Sequence, residues 1–205
     1  MLCQAHQRGI PLVLVNARMS ARSFRRWSQM RSLANYLFTR FDLCLAQSQA
    51  DAERLVRLGA PRVTVTGNLK FDSVPPPASA GTVAGMNDLI GGRPVWLAAS
   101  THAGEELLVI EAHRRLAQRY PDLLTIIAPR HPERGREIYA ASARQGLRAS
   151  QRALGLQPDM ATDIYIADTI GEMGLFYRIA PIVFLGGSLV PHGGQNPIEP
   201  AKLGA

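Results

Sequence analysis

Seven short apolar runs punctuate the chain, with segments of helical periodicity between them. The runs are IPLVLVNA, FDLCLAQS and RVTVTGN, then RPVWLAAS, LLTIIAPR, DIYIAD and APIVFLGGS. Each is a short run rich in Val, Ile, Leu or Ala, as strands buried on both faces of a parallel sheet require. In GEELLVIEAHRRLAQRY an apolar stripe runs through Leu107, Ile110, Ala112 or His113, and Leu116 or Ala117, which predicts a helix. Phe24, Trp27, Met30, Leu33 and Leu37 recur at helical spacing earlier in the chain and are core candidates. Repeated alternation of strand and helix predicts the α/β class.

The texture changes between Asp72 and Arg93. SVPPPASAGTVAGMNDLIGG has three consecutive prolines and many small residues, without a strand pattern, and reads as an interdomain linker over residues 73–92. It separates residues 1–72, with three predicted strands, from residues 93–205, with four. A doubly wound domain usually has five or more strands, so both sheets read as incomplete.

Composition narrows the partners. The chain has 205 residues, and 23 Lys and Arg against 16 Asp and Glu give a net charge of +7, which favours a phosphate, nucleic acid or anionic lipid partner. Aromatic residues make up 6% without a stacking pattern, which argues against single-strand nucleic-acid recognition. Cys3 and Cys44 lie far apart without metal-ligand spacing and read as small buried hydrophobes in a reducing compartment. His102, His113, His131 and His192 lack ligand spacing, so no metal or other cofactor is expected. No run approaches the roughly 18 apolar residues of a spanning helix, and the opening MLCQAHQRG lacks an apolar signal core.

Candidate chemistry sits at the ends of the predicted strands, where open α/β sheets bind ligands. In LAASTHAGEE, Ser100, Thr101 and His102 follow a strand and Glu105 and Glu106 open the next helix, a pattern that ordinary helix capping also explains. In APRHPER, Pro129 and Pro132 bracket Arg130 and His131, and a guanidinium so held suits a phosphate. Asp168 ends a strand, and Gly171, Glu172 and Met173 open a helix whose amides could meet a base or phosphate. Gly186, Gly187 and Ser188 follow the last strand, and Gly193 and Gly194 precede Asn196, Pro197, Ile198 and Glu199. The glycines would clear space for a ligand, and Glu199, which would repel a phosphate, would accept ribose hydroxyls. A capping role for that glutamate is the bland alternative. Around the first helix, Arg18, Arg22, Arg25, Arg26, Arg31 and Arg40 form a basic face without an acid among them.

NARMSARS, LAQSQADAERLVRLGAPRVTVTGNLKFD, ASTHAGEE, APRHPER, DTIGEMGLFY and GGSLVPHGGQNPIEPA, in this order, resemble the bacterial 3-deoxy-D-manno-octulosonic acid (Kdo) transferases from about Pro11 to the last residue. The resemblance implies a GT-B fold of two Rossmann-like domains, with residues 1–72 closing the acceptor domain and residues 93–205 belonging to the donor domain. It implies metal-independent, inverting transfer of Kdo from CMP-Kdo to the anionic lipid A precursor, lipid IVA. The setting would be the cytoplasmic face of the inner membrane, without nucleic acid as partner. Pro129, Arg130, Gly171, Glu172, Met173, Asn196, Pro197, Ile198 and Glu199 match the family's CMP-binding stretches. Ser100, Thr101, His102, Gly186, Gly187 and Ser188 would support the donor, and Arg18 and Arg22 would lie on the acceptor side. The family's general-base glutamate falls upstream of these residues, so the isolated chain is expected to be inactive. Gln195 stands where many relatives have His, and LRASQR departs from the family at Ala149. A GT-B enzyme using a UDP-sugar and a non-catalytic basic nucleotide-binding module are the alternatives.

Overall fold

The computed structural model describes residues 2–205; Cys3 has no described side chain, so the expectation for it lies outside the described residues. The chain divides into two compact units, Met1–Ser73 and Val74–Ala205.

The first unit runs α1 (Leu2–Gln7), β1 (Val13–Ala17), α2 (Ala21–Gln29), α3 (Arg31–Phe38), β2 (Leu43–Ala46), α4 (Gln49–Arg57) and β3 (Val63–Val65), then a short 3-10 turn. Its strands form a parallel sheet in the order β1-β2-β3. Leu14, Cys44 and Val63 point to one face and pack with Ala34, Phe38 and Leu55, which buries Cys44 completely. Val13 and Val15, on the opposite face of β1, are exposed. The expected continuous stripe from Phe24 to Leu37 is interrupted. Met30 leaves helical geometry between α2 and α3, so Met30 and Leu33 turn outward and Ala34 and Phe38 take the core positions.

The second unit runs α5 (Ala80–Ile90), β4 (Val95–Thr101), α6 (Glu105–Ala117), β5 (Leu124–Pro129), α7 (Gly135–Arg144), β6 (Ala149–Gln151), β7 (Ile164–Ile166), α8 (Met173–Ile179), β8 (Val183–Leu185) and α9 (Ile198–Lys202). Five strands pair in parallel in the order β6-β7-β5-β4-β8. Leu97, Ala99, Ile126 and Tyr165 pack with Met86, Ile90, Leu175 and Phe176, carried by α5 and α8, on one face. Ala98, Ile127 and Ile164 pack with Val109, Ile110 and Ile138, carried by α6 and α7, on the other. The order of connections switches sides at β4, which has β5 on one side and β8 on the other, and open α/β sheets carry their ligand crevice outside the carboxyl end at such a point.

Three expectations change. The stretch read as linker contains α5, capped by the Ser79 hydroxyl on the Thr82 amide and closed by Gly91 at φ 66°. Its buried residues, Met86 and Ile90, stand four apart among small side chains, too sparse a stripe to register by eye. The second sheet has five strands where four are predicted, because β6 is the polar triplet Ala-Ser-Gln, held by pairing with β7 rather than by an apolar run. In α6 the buried face is Glu105, Glu106, Val109, Ile110 and His113, while Leu107 and Leu116 are exposed. The helix is rotated from the predicted stripe because both glutamates have partners inside.

One buried cation staples the floor of this sheet. Arg93 donates to the carbonyls of Asp122 (2.6 Å), Leu123 (3.1 Å), Asp159 (2.9 Å) and Thr162 (2.5 Å), gathering the segments that lead into β5 and β7. Burial pushes its pKa down, against the attraction of nearby aspartates. Arg93→Met keeps the apolar stem but removes every donor, so urea unfolding should show a loss of about 3 kcal/mol; a change below about 0.5 kcal/mol would refute the staple.

Candidate functional site at the carboxyl edge of the second sheet

Backbone packing builds the crevice first. β4 ends in an irregular register between Ala99 and Thr101, with Ser100 at φ 53°. The next strand end lies so close that a Cβ on Gly186 would meet the Ser100 carbonyl oxygen at 2.2 Å. Gly186 therefore serves contact with the β4 backbone, not the approach of a ligand as its sequence suggests. Gly187, at φ 72°, accepts the Gly194 amide at 2.7 Å and closes the loop of residues 187–194. The Arg130 amide donates to the Thr101 carbonyl at 2.9 Å, joining the loop after β5 to the same edge.

Glu105 fixes this assembly. Its carboxylate is fully buried and accepts four backbone amides: His102 and Gly187 at 2.8 Å each, Ser188 at 3.1 Å and Leu189 at 3.0 Å. Burial alone would raise its pKa, but the four amides together outweigh it and hold the carboxyl below the ordinary 4.5. Its neighbour Glu106 accepts the Thr101 hydroxyl at 3.3 Å and both forks of Arg134 at 3.2 Å. Thr101 is thus buried structure, and Ser188 turns its hydroxyl onto the Leu185 carbonyl at 2.7 Å.

Three imidazoles meet above that base. His102 and His192 lie 4.0 Å apart between ring centroids, and His131 stands edge-on to His102 at 6.4 Å. The Gln195 amide reaches the His102 Nε2 at 3.2 Å. Burial, and then the neighbouring His192, lowers the His102 pKa from its ordinary value, which favours the neutral ring. Arg130 is exposed, and no ion pair engages it among the described residues. It stands at the end of β5, beyond the buried Pro129.

The third strand end is wired internally. Asp168 is buried and accepts Gln151 Nε2 at 2.6 Å and the Ala153 amide at 2.9 Å. Glu172 is gripped by two nitrogens of Arg152 and by the Thr169 hydroxyl, and Arg152 also donates to the Tyr165 hydroxyl at 3.0 Å. The Arg152 hydrogen bonds lower the Glu172 pKa, and the same pairing raises that of Arg152. The Glu172 side chain is therefore occupied by protein, which leaves Gly171, at φ 86°, and Met173 as the accessible parts of that motif. Both line a cleft of about 500 Å³ together with Glu199 and the prolines of residues 75–77. Pro197 precedes α9 as its cap rather than occupying its first turn, and the Asn196 side chain accepts the Ile198 amide at 3.3 Å. The Glu199 charge adds to burial in pushing Tyr177 up to about 12.

The structure thus brings His102, Arg130 and the 186–188 loop to one edge, and Gly171, Met173 and Glu199 to one cleft. Arg18 and Arg22 lie in the first unit, both exposed. Their loop is clamped where Asp51 accepts the Met19 amide at 2.8 Å and Arg54 donates to the Met19 carbonyl at 2.8 Å. Sequence reasoning missed Glu105 as the anchor of the glycine loop, and Gln151 and Arg152 as the partners of Asp168 and Glu172. An acid next to a strand end followed by glycines was the available signal for the first; the others rested on the unseen β6.

Two parallel α/β units, one with its polar loops gathered at the topological switch, define the GT-B type of glycosyltransferase fold. Residues 1–73 match the family described as 3-Deoxy-D-manno-octulosonic-acid transferase (kdotransferase). The 3-deoxy-D-manno-octulosonic acid transferase of Haemophilus influenzae is 36% identical over 200 residues, 96% of this chain and 47% of that protein. The one of Bordetella pertussis is 37% identical over 211 residues, 100% of this chain and 48% of that protein. The C-terminal CMP-Kdo binding domain of WaaA from Acinetobacter baumannii superposes with a TM-score of 0.55 at 34% identity, covering 61% of this chain and 68% of that one. This chain belongs to the Kdo transferase family. It spans about half the length of the curated relatives it matches.

Glu105→Gln turns an amide donor toward amides that need acceptors. At about pH 7 the variant should lose about 2 kcal/mol of stability, and hydrogen exchange at Gly187, Ser188 and Leu189 should quicken. A carboxyl depressed in the folded state stabilises above its unfolded pKa, here the ordinary 4.5, and that contribution fades as pH falls through the folded value. The gap between wild type and variant should therefore narrow as the pH falls below that ordinary value; a gap that widens with acid would contradict the assignment.

Proposed function

We propose that the second unit, Val74–Ala205, is the CMP-Kdo donor domain of a Kdo transferase and that Met1–Ser73 belongs to its acceptor domain. The observation that carries this reading is the exposed Arg130, engaged by no ion pair among the described residues and close enough for its charge to act on His102, which lies with the His131 and His192 rings, while the Glu199 carboxylate lines a separate cleft. The first group suits the phosphate and carboxylate of an anionic donor, and the second suits hydroxyls and a base. Similarity to a CMP-Kdo binding domain supports the same division.

In this reading a hydroxyl of the lipid A precursor loses its proton to a general base and attacks the anomeric carbon from the face opposite CMP. The new glycosidic bond forms as the bond to the phosphate oxygen breaks, with inversion and without a metal. Negative charge grows on the departing CMP, where Arg130 stabilises it. Pro129, Ile198 and the Gly186–Gly187 turn position the contacting groups, and Asn196 and Pro197 set the entry to α9 that carries Glu199. The Glu172 side chain acts only by holding its loop.

Arg18 and Arg22, on the basic face of the first unit, would attract the phosphates of lipid IVA. That acceptor places the reaction at the cytoplasmic face of the inner membrane. Among the described residues no helix is long and apolar enough to cross a membrane.

Calorimetric titration of the folded chain with CMP and with cytidine tests the reading. Arg130→Ala should weaken CMP at least about tenfold and cytidine little, whereas Glu199→Ala should weaken both. A folded wild-type chain that binds neither would sink it.

A further inference from the structure

We propose that His102 and His192 form a proton-carrying subsite that takes the carboxylate of the donor's sugar, so that donor binding is coupled to the uptake of about one proton from solvent. The proposal rests on the nucleotide reading above and goes past it, since it gives the imidazoles an anion of their own and leaves the phosphate to Arg130.

Three adjacent strands build the subsite. β8, β4 and β5 lie side by side, and the loops at their carboxyl ends carry His192, His102 and His131 respectively. The His102 and His192 rings are 4.0 Å apart between centroids and tilted by 36°, with His131 edge-on to His102. Gly187 backs the His192 ring, where an added Cβ would meet Cδ2 at 3.4 Å. Gln195 reaches the His102 Nε2 at 3.2 Å. Its amide nitrogen donates to a neutral ring and, after a half-turn, its oxygen accepts from a protonated one, so both states of His102 keep a partner.

The acids of the same loops are engaged elsewhere. Glu105 spends its carboxylate on four amides, Glu106 is held by Thr101 and Arg134, and Glu137 also pairs with Arg134. Glu133 stands 3.7 Å from the His131 Nδ1, outside the stacked pair, and Glu199 lines the other cleft. Burial, His192, His131 and Arg130 all disfavour the charged form of His102, against the attraction of Glu105. The free site is therefore short of protons, and an arriving anion supplies the attraction that lets an imidazole charge.

The donor's chemistry supplies that anion. Its sugar is an ulosonic acid, whose carboxylate carbon and departing phosphate oxygen are bonded to the same anomeric carbon, so the two anions enter side by side. Arg130, whose charge already acts on His102, meets the phosphate with paired donors, and the carboxylate falls to the neighbouring imidazoles. A nucleotide sugar without that carboxylate gains nothing from them, so the subsite selects for an acidic sugar. The imidazole pKa is higher in the bound state than in the free one. Affinity is thus greatest below the free value, falls as pH rises between the two values, and levels off above the bound one.

Calorimetry on the full chain, in buffers of different ionisation enthalpy, would count the protons taken up with CMP-Kdo, with the methyl diester of CMP, which keeps the phosphate charge and lacks the carboxylate, and with cytidine. The wild type is expected to take up about one proton with CMP-Kdo at about pH 7 and to bind it about tenfold more weakly at about pH 8 than at about pH 6. The diester and cytidine should show neither effect. His102→Asn and His192→Asn keep a polar side chain without a charge to gain, and each should lower the uptake and flatten the pH dependence. Cytidine binding reports that each variant is folded, and the imidazole NMR shifts of the wild type, titrated with and without CMP-Kdo, read the same protonation without substitution. Uptake that is absent from the wild type, that the methyl diester matches, or that persists unchanged in both variants overturns the proton-carrying subsite while the nucleotide site stands. A folded wild type that binds none of the three overturns the nucleotide reading and the subsite with it.

Discussion

The carboxylate of Glu105, fully buried and surrounded by four backbone amides, is the constraint on which the crevice depends. An unpaired carboxylate in such a place would cost several kcal/mol, and its four partners convert that penalty into a fixed point. Because the donors come from the β4–α6 loop and from the loop after β8, this one side chain sets the spacing between two strand ends. Gly186 completes the fit by allowing contact with Ser100 at a distance that no side chain would permit. The half-buried His102 and the exposed His192 and Arg130 are carried on a frame whose own polar groups are already satisfied.

A second frame of the same kind holds the loop after β7. Asp168 and Glu172 would look like ligand contacts if seen only as acids at a strand end. Instead β6 and the turn behind it deliver Gln151, the Ala153 amide and Arg152 to them. Gly135 belongs to the same frame, since a Cβ there would collide with Asp168 at 2.0 Å. The unit spends its buried charges on shape and leaves its free charges at the edge. In the proposed donor site that leaves Arg130 to meet the phosphate and Glu199 to meet the ribose, each able to act without first breaking an internal bond.

Most of the strands, their parallel class and the clustering of chemistry at their carboxyl ends were legible in the sequence, because the central strands of the second sheet, β4 and β5, are buried on both faces and so write continuous apolar runs. Alternation with helical stripes then leaves few other architectures. The motif from His192 to Glu199 was visible for a related reason: glycine and proline restrict or release the backbone wherever they stand.

What the sequence could not determine was which polar groups go inside. Glu105 finds its amides 82, 83 and 84 residues away, and Glu106 finds Arg134 at a separation of 28. These pairings rotate α6 away from the stripe its leucines suggest. Likewise β6 exists through its pairing with β7, and the proline strap of residues 74–77 docks only against Gly174 and Arg178, about 100 positions later, as the separation of 102 between Arg178 and Pro76 measures. Local pattern records the burial of apolar surface, which each segment carries in its own residues. The burial of charge and the docking of a strap depend on partners that only the folded chain brings within hydrogen-bond reach.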